Sequence, residues 1–207
     1  IVDLAAAPEL GSKAQLIQSR TLEILAQLGI VARFLALGRT LHGISVYTLD
    51  MQRMFRLNIG EPDAAYPFML SLPQRDTEKL LIHHLQELGG RIDCNVRLID
   101  FRQESDRVIV QLEHLGSGQT EQCSVAWLLG CDGINSTVRK RLAIPFSGIA
   151  YTQKVLQADV NISWLLHHAM DEAVAFLSER GPIAAFPLPD TRHYRMLAYD
   201  TGLSPTQ

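Results

Sequence analysis

The stretch with the clearest chemical potential in this chain of 207 residues runs from Trp127 to Arg141, WLLGCDGINSTVRKR. Gly130 and Gly133 bracket Asp132, and glycine permits positive φ and close approach of backbone to a ligand. Asn135 or Ser136 can cap a helix beginning near Thr137, leaving backbone N–H groups to point out of the turn toward an anion. Arg139, Lys140 and Arg141 follow within one helical turn and could reach a second anionic group. Asp132 is one carboxylate among these donors and would repel a bare phosphate. The ligand that fits such a mouth mixes phosphate with hydroxyls, as ribose, ribityl and pyrophosphate do. The same residues also spell an Asp-Gly turn joining a strand to a helix, and the residues alone leave both readings open.

Other candidates for chemistry are weaker. His83 and His84 are adjacent, so on a helix their side chains diverge by about 100°. Neither they nor His167-His168 have metal-ligand spacing, and no metal site is expected. Cys94, Cys123 and Cys131 are odd in number and lack CxxC spacing, which suits reduced thiols in the cytoplasm. Cys131 sits beside Asp132 where the turn needs only a small residue, so it is given no redox role. The chain is 47% hydrophobic and 20% charged with a net charge of −3. That is ordinary globular composition and gives no reason to expect nucleic acid or an anionic membrane as partner. No run approaches the roughly eighteen apolar residues of a membrane span, and no signal peptide is visible.

Several elements must position the turn. Ala126 to Leu129 reads as the end of an interior strand. Upstream, Ile92, Cys94, Val96 and Leu98, then Val108, Val110 and Leu112, alternate as strands around a turn at Glu104 to Arg107. A hairpin turn from Leu115 to Gln119 carries Gly116 and Gly118. A helix capped by Ser12 or Ser19 is expected to bury Leu22, Leu25, Leu28 and, one turn earlier, Ile17, and to end at Gly29. A second helix, capped by Asp76 or Thr77 and stopped by Gly89-Gly90, has Leu80, Leu81, His84, Leu85 and Leu88 as its stripe. Between them, Ile44 to Thr48 and Met54 to Ile59 suggest two or three strands before a loop at Asn58 to Pro67. After Ile144-Pro145, strands are expected over Tyr151 to Ile162, Val174 to Phe176, Ile183 to Leu188 and Tyr194 to Tyr199.

The segment LLGCDGINSTVRKRL resembles the DG fingerprint of the FAD-dependent aromatic hydroxylases, the class A flavoprotein monooxygenases of the para-hydroxybenzoate and phenol hydroxylase type. Arg20 to Ile30, RTLEILAQLGI, is similar to the helix after the second strand of their FAD domain. Leu72-Pro73-Gln74, followed by Glu78 and Leu80-Leu81, resembles the LPQ segment that opens their next helix. The three occur in the family's order, and the likeness covers nearly the whole chain.

The resemblance implies an α/β fold: an incomplete, Rossmann-like FAD-binding domain of the glutathione-reductase type with a β-meander, plus the start of a mixed-sheet substrate domain. Residues 1–40 and 70–148 fall to the FAD domain; residues 41–69 and 149–207 fall to the substrate domain. The chain opens with Ile1-Val2-Asp3-Leu4 and contains no GxGxxG, a turn the family carries about thirty residues earlier on its pyrophosphate-binding helix. An internal fragment with an unpaired sheet edge is therefore expected, prone to association, and a homodimer is one form this could take. The implied cofactor residues are Arg20, Gln74, Asp132, Gly133, Ser136 and Arg139. Arg20 would meet the FAD pyrophosphate, as against a solvent-facing helix arginine, and Gln74 the ribityl chain or pyrophosphate. Arg139 is divided between supporting the turn and meeting NAD(P)H. Tyr47, Phe55, Tyr66 and Phe68 are candidates for the side facing an aromatic substrate, as against plain core residues.

The implied reaction is hydroxylation of an aromatic compound by O₂ through a flavin C4a-hydroperoxide, with FAD as cofactor, NAD(P)H as reductant and no protein group as catalytic base. Other readings are a flavin-dependent reductase of the same superfamily, and a truncated, non-catalytic binding module of the same fold.

Overall fold

A computed structural model describes residues 1–7, 14–60, 63–152, 154–166 and 169–200. The caps and loops expected at Pro8 to Ser12 and the pair His167-His168 lie outside the described residues. The fold is mixed α/β and dominated by sheet. It separates into two compact units, Ile1–Leu10 with Leu85–Ala150, and Gly11–His84 with Tyr151–Gln207.

The second unit opens with β1 (Leu16–Ile17), α1 (Ser19–Gln27), α2 (Val31–Leu37), β2 (Arg39–Leu41), β3 (Gly43–Tyr47), β4 (Arg53–Asn58), β5 (Met69–Ser71) and the start of α3 (Gln74–Glu87). Its later part is β9 (Lys154–Asn161), β10 (Glu172–Phe176), β11 (Ile183–Pro187) and β12 (His193–Asp200). A small sheet runs β1-β5-β2, and a six-stranded sheet runs β4-β3-β10-β11-β12-β9. Ladders in the larger sheet are antiparallel except β3 with β10, which run parallel from Gly43–Glu172 to Tyr47–Phe176. Its outer strands, β4 and β9, each keep one ladder side without a described partner, and every residue of β4 is exposed.

The core beside α1 contains Leu22, Leu25, Ile30, Phe34, Leu70 and Leu72. Gly29 does end α1, at φ 74°. Its N–H bonds Ala26 O while Ile30 N–H bonds Leu25 O, the paired bonds of a Schellman ending, with Ile30 folding back onto Leu25. Gly89 at φ 78° closes α3 in the same manner, its N–H bonding Gln86 O while Gly90 N–H bonds Leu85 O.

Several sequence expectations need correction here. Gln18 is the N-cap of α1 and contributes no side-chain bond. Ser19 is already helical, and its hydroxyl donates to Phe68 O instead of capping. Ile17 is buried from β1, whereas Leu28 is 53% exposed, because the Schellman turn brings Ile30 into its place. α3 starts at Gln74, ahead of Asp76 and Thr77, whose N–H groups both bond Pro73 O. Its expected stripe is not fully buried: Leu80 packs partly on the core, while Leu88 is 73% exposed. α2 had no sequence signal beyond Gly29, since its capping residue, Ile30, makes no side-chain bond.

The first unit is a three-stranded antiparallel meander of β6 (Val96–Gln103), β7 (Val108–His114) and β8 (Gln119–Val125). Val96, Val110 and Leu112 form its buried face, and the period-two alternation and the Gly118 turn at φ 68° account for it. β6 begins only at Val96; Ile92 and Cys94 lie before it, where Asp93 bridges Val2. The expected strand over Ala126 to Leu129 does not form among the described residues. The β7–β8 ladder stops at Val125, and Trp127 and Leu129 are 84% and 81% exposed. An apolar run becomes an interior strand only when neighbours flank it, and none of the described strands does. No helix among the described residues is long and apolar enough to cross a membrane.

Two substitutions test this packing. Phe34→Ala, at a fully buried side chain, is expected to lower unfolding free energy by about 3–5 kcal/mol. Leu28→Ala, at the exposed end of α1, should change it by no more than about 0.5 kcal/mol. Urea denaturation of both variants checks the contrast, and equal losses would contradict the core assignment.

Candidate functional site

The chain between β8 and α4 (Thr137–Arg141) is a loop held by one carboxylate. Asp132 Oδ1 accepts the Ser136 hydroxyl; Oδ2 accepts Thr137 N–H at 2.5 Å and Val138 N–H at 3.2 Å. Ser136 is buried and is the N-cap of α4, accepting Arg139 N–H at 3.0 Å. Gly133, at φ 73°, turns the chain so that these groups converge, and a Cβ built on it meets nothing within 4 Å. Gly130 has the opposite reason to be glycine: a Cβ there would stand 2.7 Å from that of Val138.

This geometry corrects the expectation of outward N–H groups. The first N–H groups of α4 are already taken by Asp132 and Ser136, so the short helix has no free N-terminus to offer a phosphate. Burial pushes the Asp132 carboxyl upward, but bonds from Ser136 and from the Val138 and Thr137 amides outweigh it and hold the group below its ordinary value.

Arg139 turns back on the loop. Its guanidinium donates to Ile134 O at 2.8 Å and Gly133 O at 3.5 Å, and its Cζ lies 4.6 Å from the centre of the Phe146 ring. Arg141 works in the other direction, donating to Ile99 O and pairing with Asp100, both at 3.3 Å. Ile99 is where the β6–β7 register shifts, so a bulge presents the carbonyl that Arg141 uses. The turn is thus tied to itself through Arg139 and to β6 through Arg141.

Asp132, Gly133, Ser136 and Arg139 therefore come together in the first unit, and Arg20 and Gln74 belong to the second. Arg20 pairs with Glu23 at 2.8 Å on α1, and its side chain is 69% exposed. Gln74 is fixed at the start of α3: its N–H donates to Ala14 O, its Oε1 accepts Ala14 N–H at 3.3 Å, and its Nε2 donates to Glu78 at 2.8 Å. Of the aromatic candidates, Tyr47 is buried and lies 6.0 Å from Phe176, Tyr66 and Phe68 pack on the core beside α1, and Phe55 is exposed on β4. None of the four lines the cavity of about 780 Å³ beside Leu49, Leu177, Pro182 and Tyr199.

The chain matches the family described as FAD binding domain over residues 1–204. It belongs to that family. Over 203 residues the FAD-binding domain is 37% identical to the 6-methylpretetramide 4-monooxygenase of Streptomyces rimosus, an alignment covering 98% of this chain and 35% of the relative. Among solved structures it superposes with TM-score 0.82 on the p-nitrophenol 4-monooxygenase of Pseudomonas putida DLL-E4, at 18% identity, covering 99% of this chain and 52% of that one. The flavin-dependent monooxygenase PieE, solved in complex with FAD and substrate, gives TM-score 0.82 at 19% identity, covering 100% and 39%. The chain thus spans about a third of the length of the curated relative.

Sequence reasoning missed two polar clusters in the FAD-binding domain's second unit. Arg195, almost fully buried on β12, makes a two-pronged pair with Asp159 on β9 at 2.7 and 2.8 Å and donates to Ala14 O at 3.3 Å. Glu172 on β10 accepts Ser45 and Arg56, each at 2.5 Å. Arg56 crosses above Gly43, where a Cβ would come within 2.6 Å of the guanidinium. These partners are 36, 127 and 116 positions apart in sequence, so no local spacing could reveal them.

The Asp132 contacts predict a titration. With its folded-state pKa depressed, the carboxylate's capping contribution is complete above the unfolded value of about 3.9 and is lost as pH falls through the lower folded value. The amide proton shifts of Thr137 and Val138 should titrate together with a midpoint below about 3.9, and Asp132→Asn should abolish the transition. A midpoint at or above the ordinary value would contradict the capping geometry.

Proposed function

We propose that this chain is the FAD-holding part of a cytoplasmic flavin-dependent monooxygenase that hydroxylates an aromatic or polyketide compound with O₂, using NAD(P)H as reductant. The observation that carries the reading is the Asp132–Ser136 turn, built on the fingerprint residues within a chain of the FAD-binding family. The named relatives, which act on 6-methylpretetramide and p-nitrophenol, support the aromatic substrate class.

The turn fits the cofactor by its chemistry. Oδ2 of Asp132 has both lone pairs occupied by backbone amides, while Oδ1 accepts one bond and retains a lone pair for a ligand hydroxyl. Nothing stands where a Gly133 Cβ would be, so a ligand can approach that backbone. Asp132 would hold a ribityl or ribose hydroxyl, Gly133 would line the approach, and Ser136 and Arg139 would keep the loop in shape. Arg20, whose guanidinium reaches solvent, would meet the pyrophosphate. Gln74, locked to Ala14, would present its amide to the ribityl chain. When bound and reduced, the flavin supplies O₂ activation: one oxygen atom goes to the ring and the other leaves as water, at the expense of one NAD(P)H. The protein's part is to orient the cofactor and exclude water. Residues 1–40 and 70–148 are assigned to the cofactor and 41–69 and 149–207 to the substrate.

In the full-length protein containing this chain, Asp132→Ala should weaken FAD about ten- to hundredfold, the loss carried by a charged hydrogen-bond partner of roughly 1.5–3 kcal/mol. Flavin absorbance after desalting measures it. Wild-type retention of FAD by the variant would refute the assignment of this turn to the cofactor.

A further inference from the structure

Gln15 Oε1 and Arg39 Nη1 are buried in the second unit without a hydrogen-bond partner among the described residues, and both belong to residues that neighbour Ser71. Ser71 is fully buried on the middle strand of the small sheet. Arg39 is its ladder partner on one side and Leu16 on the other, and residues opposite one another in an antiparallel ladder share a face. The Ser71 hydroxyl donates to Pro187 O at 2.6 Å and accepts Gln15 Nε2 at 3.3 Å. Gln15 is only 6% exposed. Three residues beyond Ser71 stands Gln74, the proposed ribityl contact.

The two orphans have opposite polarity. Arg39 offers a cationic donor without an acceptor, and Gln15 offers an amide oxygen without a donor. Arg39 as a whole is half-buried, but leaving either of these two buried atoms unpaired is costly. A bare phosphate would satisfy Arg39 but set its anionic oxygens against Gln15 Oε1. An edge that carries a carbonyl or oxyanion next to an N–H or O–H satisfies both. The pyrimidine ring of a flavin, with C=O beside N–H, has such an edge, and so has an aromatic hydroxy-ketone.

We propose that Arg39 and Gln15, backed by Ser71, form a subsite for an oxygen acceptor adjoining a hydrogen-bond donor, on the flavin ring or on the substrate. This rests on the flavin-dependent reading above. The subsite donates through Arg39 and accepts through Gln15, fixing which way round the bound edge lies.

The test uses the full-length protein and the variants Arg39→Met and Gln15→Leu. Lumiflavin, the flavin ring without its phosphate chain, is titrated into FAD-free protein; salicylaldehyde is titrated into FAD-loaded protein and followed by flavin absorbance. A loss of about ten- to hundredfold in lumiflavin affinity places the flavin ring in the subsite. A similar loss for salicylaldehyde with FAD retention unchanged places the substrate there. In both cases the ligand-free Arg39→Met protein should melt at or above the wild-type temperature, because a buried donor without an acceptor has been removed. Wild-type affinities for both probes, no binding of either probe by the wild type, or a lowered melting temperature accompanying the loss would each overturn the proposal. Failure of the parent reading looks different: the wild type would then hold no FAD before any substitution is made.

Discussion

Three donors converge on the carboxylate of Asp132, and the shape of the fingerprint loop depends on them. A hydroxyl and two consecutive backbone amides bind one side chain across a span of six residues. The helix that follows is only five residues long, too short to hold itself in water by its own ladder. Its first turn is fixed by Asp132 and Ser136, and its last residue, Arg141, reaches β6. Remove the carboxylate and the amides lose their acceptor, Ser136 loses its orientation, and Gly133 is left with no reason to stay at positive φ. The loop is first a closed cap, and the anion satisfying the helix N-terminus is supplied by the protein itself.

The second unit solves a related problem by other means. Its larger sheet carries charged groups in its interior, and each is neutralised across strands. Arg195 meets Asp159 between two antiparallel neighbours, while Glu172 meets Ser45 across the parallel ladder and Arg56 from the strand beyond it. Burial pushes the Glu172 carboxyl upward, and the bonds from Ser45 and Arg56 bring it below its ordinary value. Ion pairs of this kind add little net stability against an apolar alternative, but losing one partner strands the other. They fix register, since a one-residue slip would carry every such partner to the opposite face.

What could be read in the sequence was local. The meander was legible because alternation over Val108 to Leu112 and the glycines after Leu115 need no information from elsewhere. Gly29, Gly89 and the cap at Ser136 were legible for the same reason, each being decided within a turn of its own helix. The strand at Ala126 to Leu129 was misread because apolar composition says nothing about which strand lies beside it. The N–H groups of α4 were misread more instructively. Asp132 was recognised as a carboxylate among donors and treated as a competitor of the ligand, whereas its reach to positions four, five and six residues ahead makes it the acceptor. The clusters around Glu172, Arg195 and Ser71 join residues far apart in sequence, and only the folded sheets bring them together.

The contrast between these clusters and Arg39 is the most informative feature of the second unit. Elsewhere in this unit guanidinium groups meet a carboxylate or carbonyl: Arg195 has Asp159 and Ala14, and Arg56 has Glu172. In the small sheet Arg39 lies directly across from Ser71, whose hydroxyl is engaged instead with Pro187 O and Gln15. A buried donor held without an acceptor destabilises the protein that carries it, and such a defect persists where the ligand-bound state depends on it. In a chain that caps its own helix with Asp132 and pairs Arg195 and Glu172 across strands, the unsatisfied donor of Arg39 and the unsatisfied amide oxygen of Gln15 are what single out the surroundings of Ser71 for the proposed subsite.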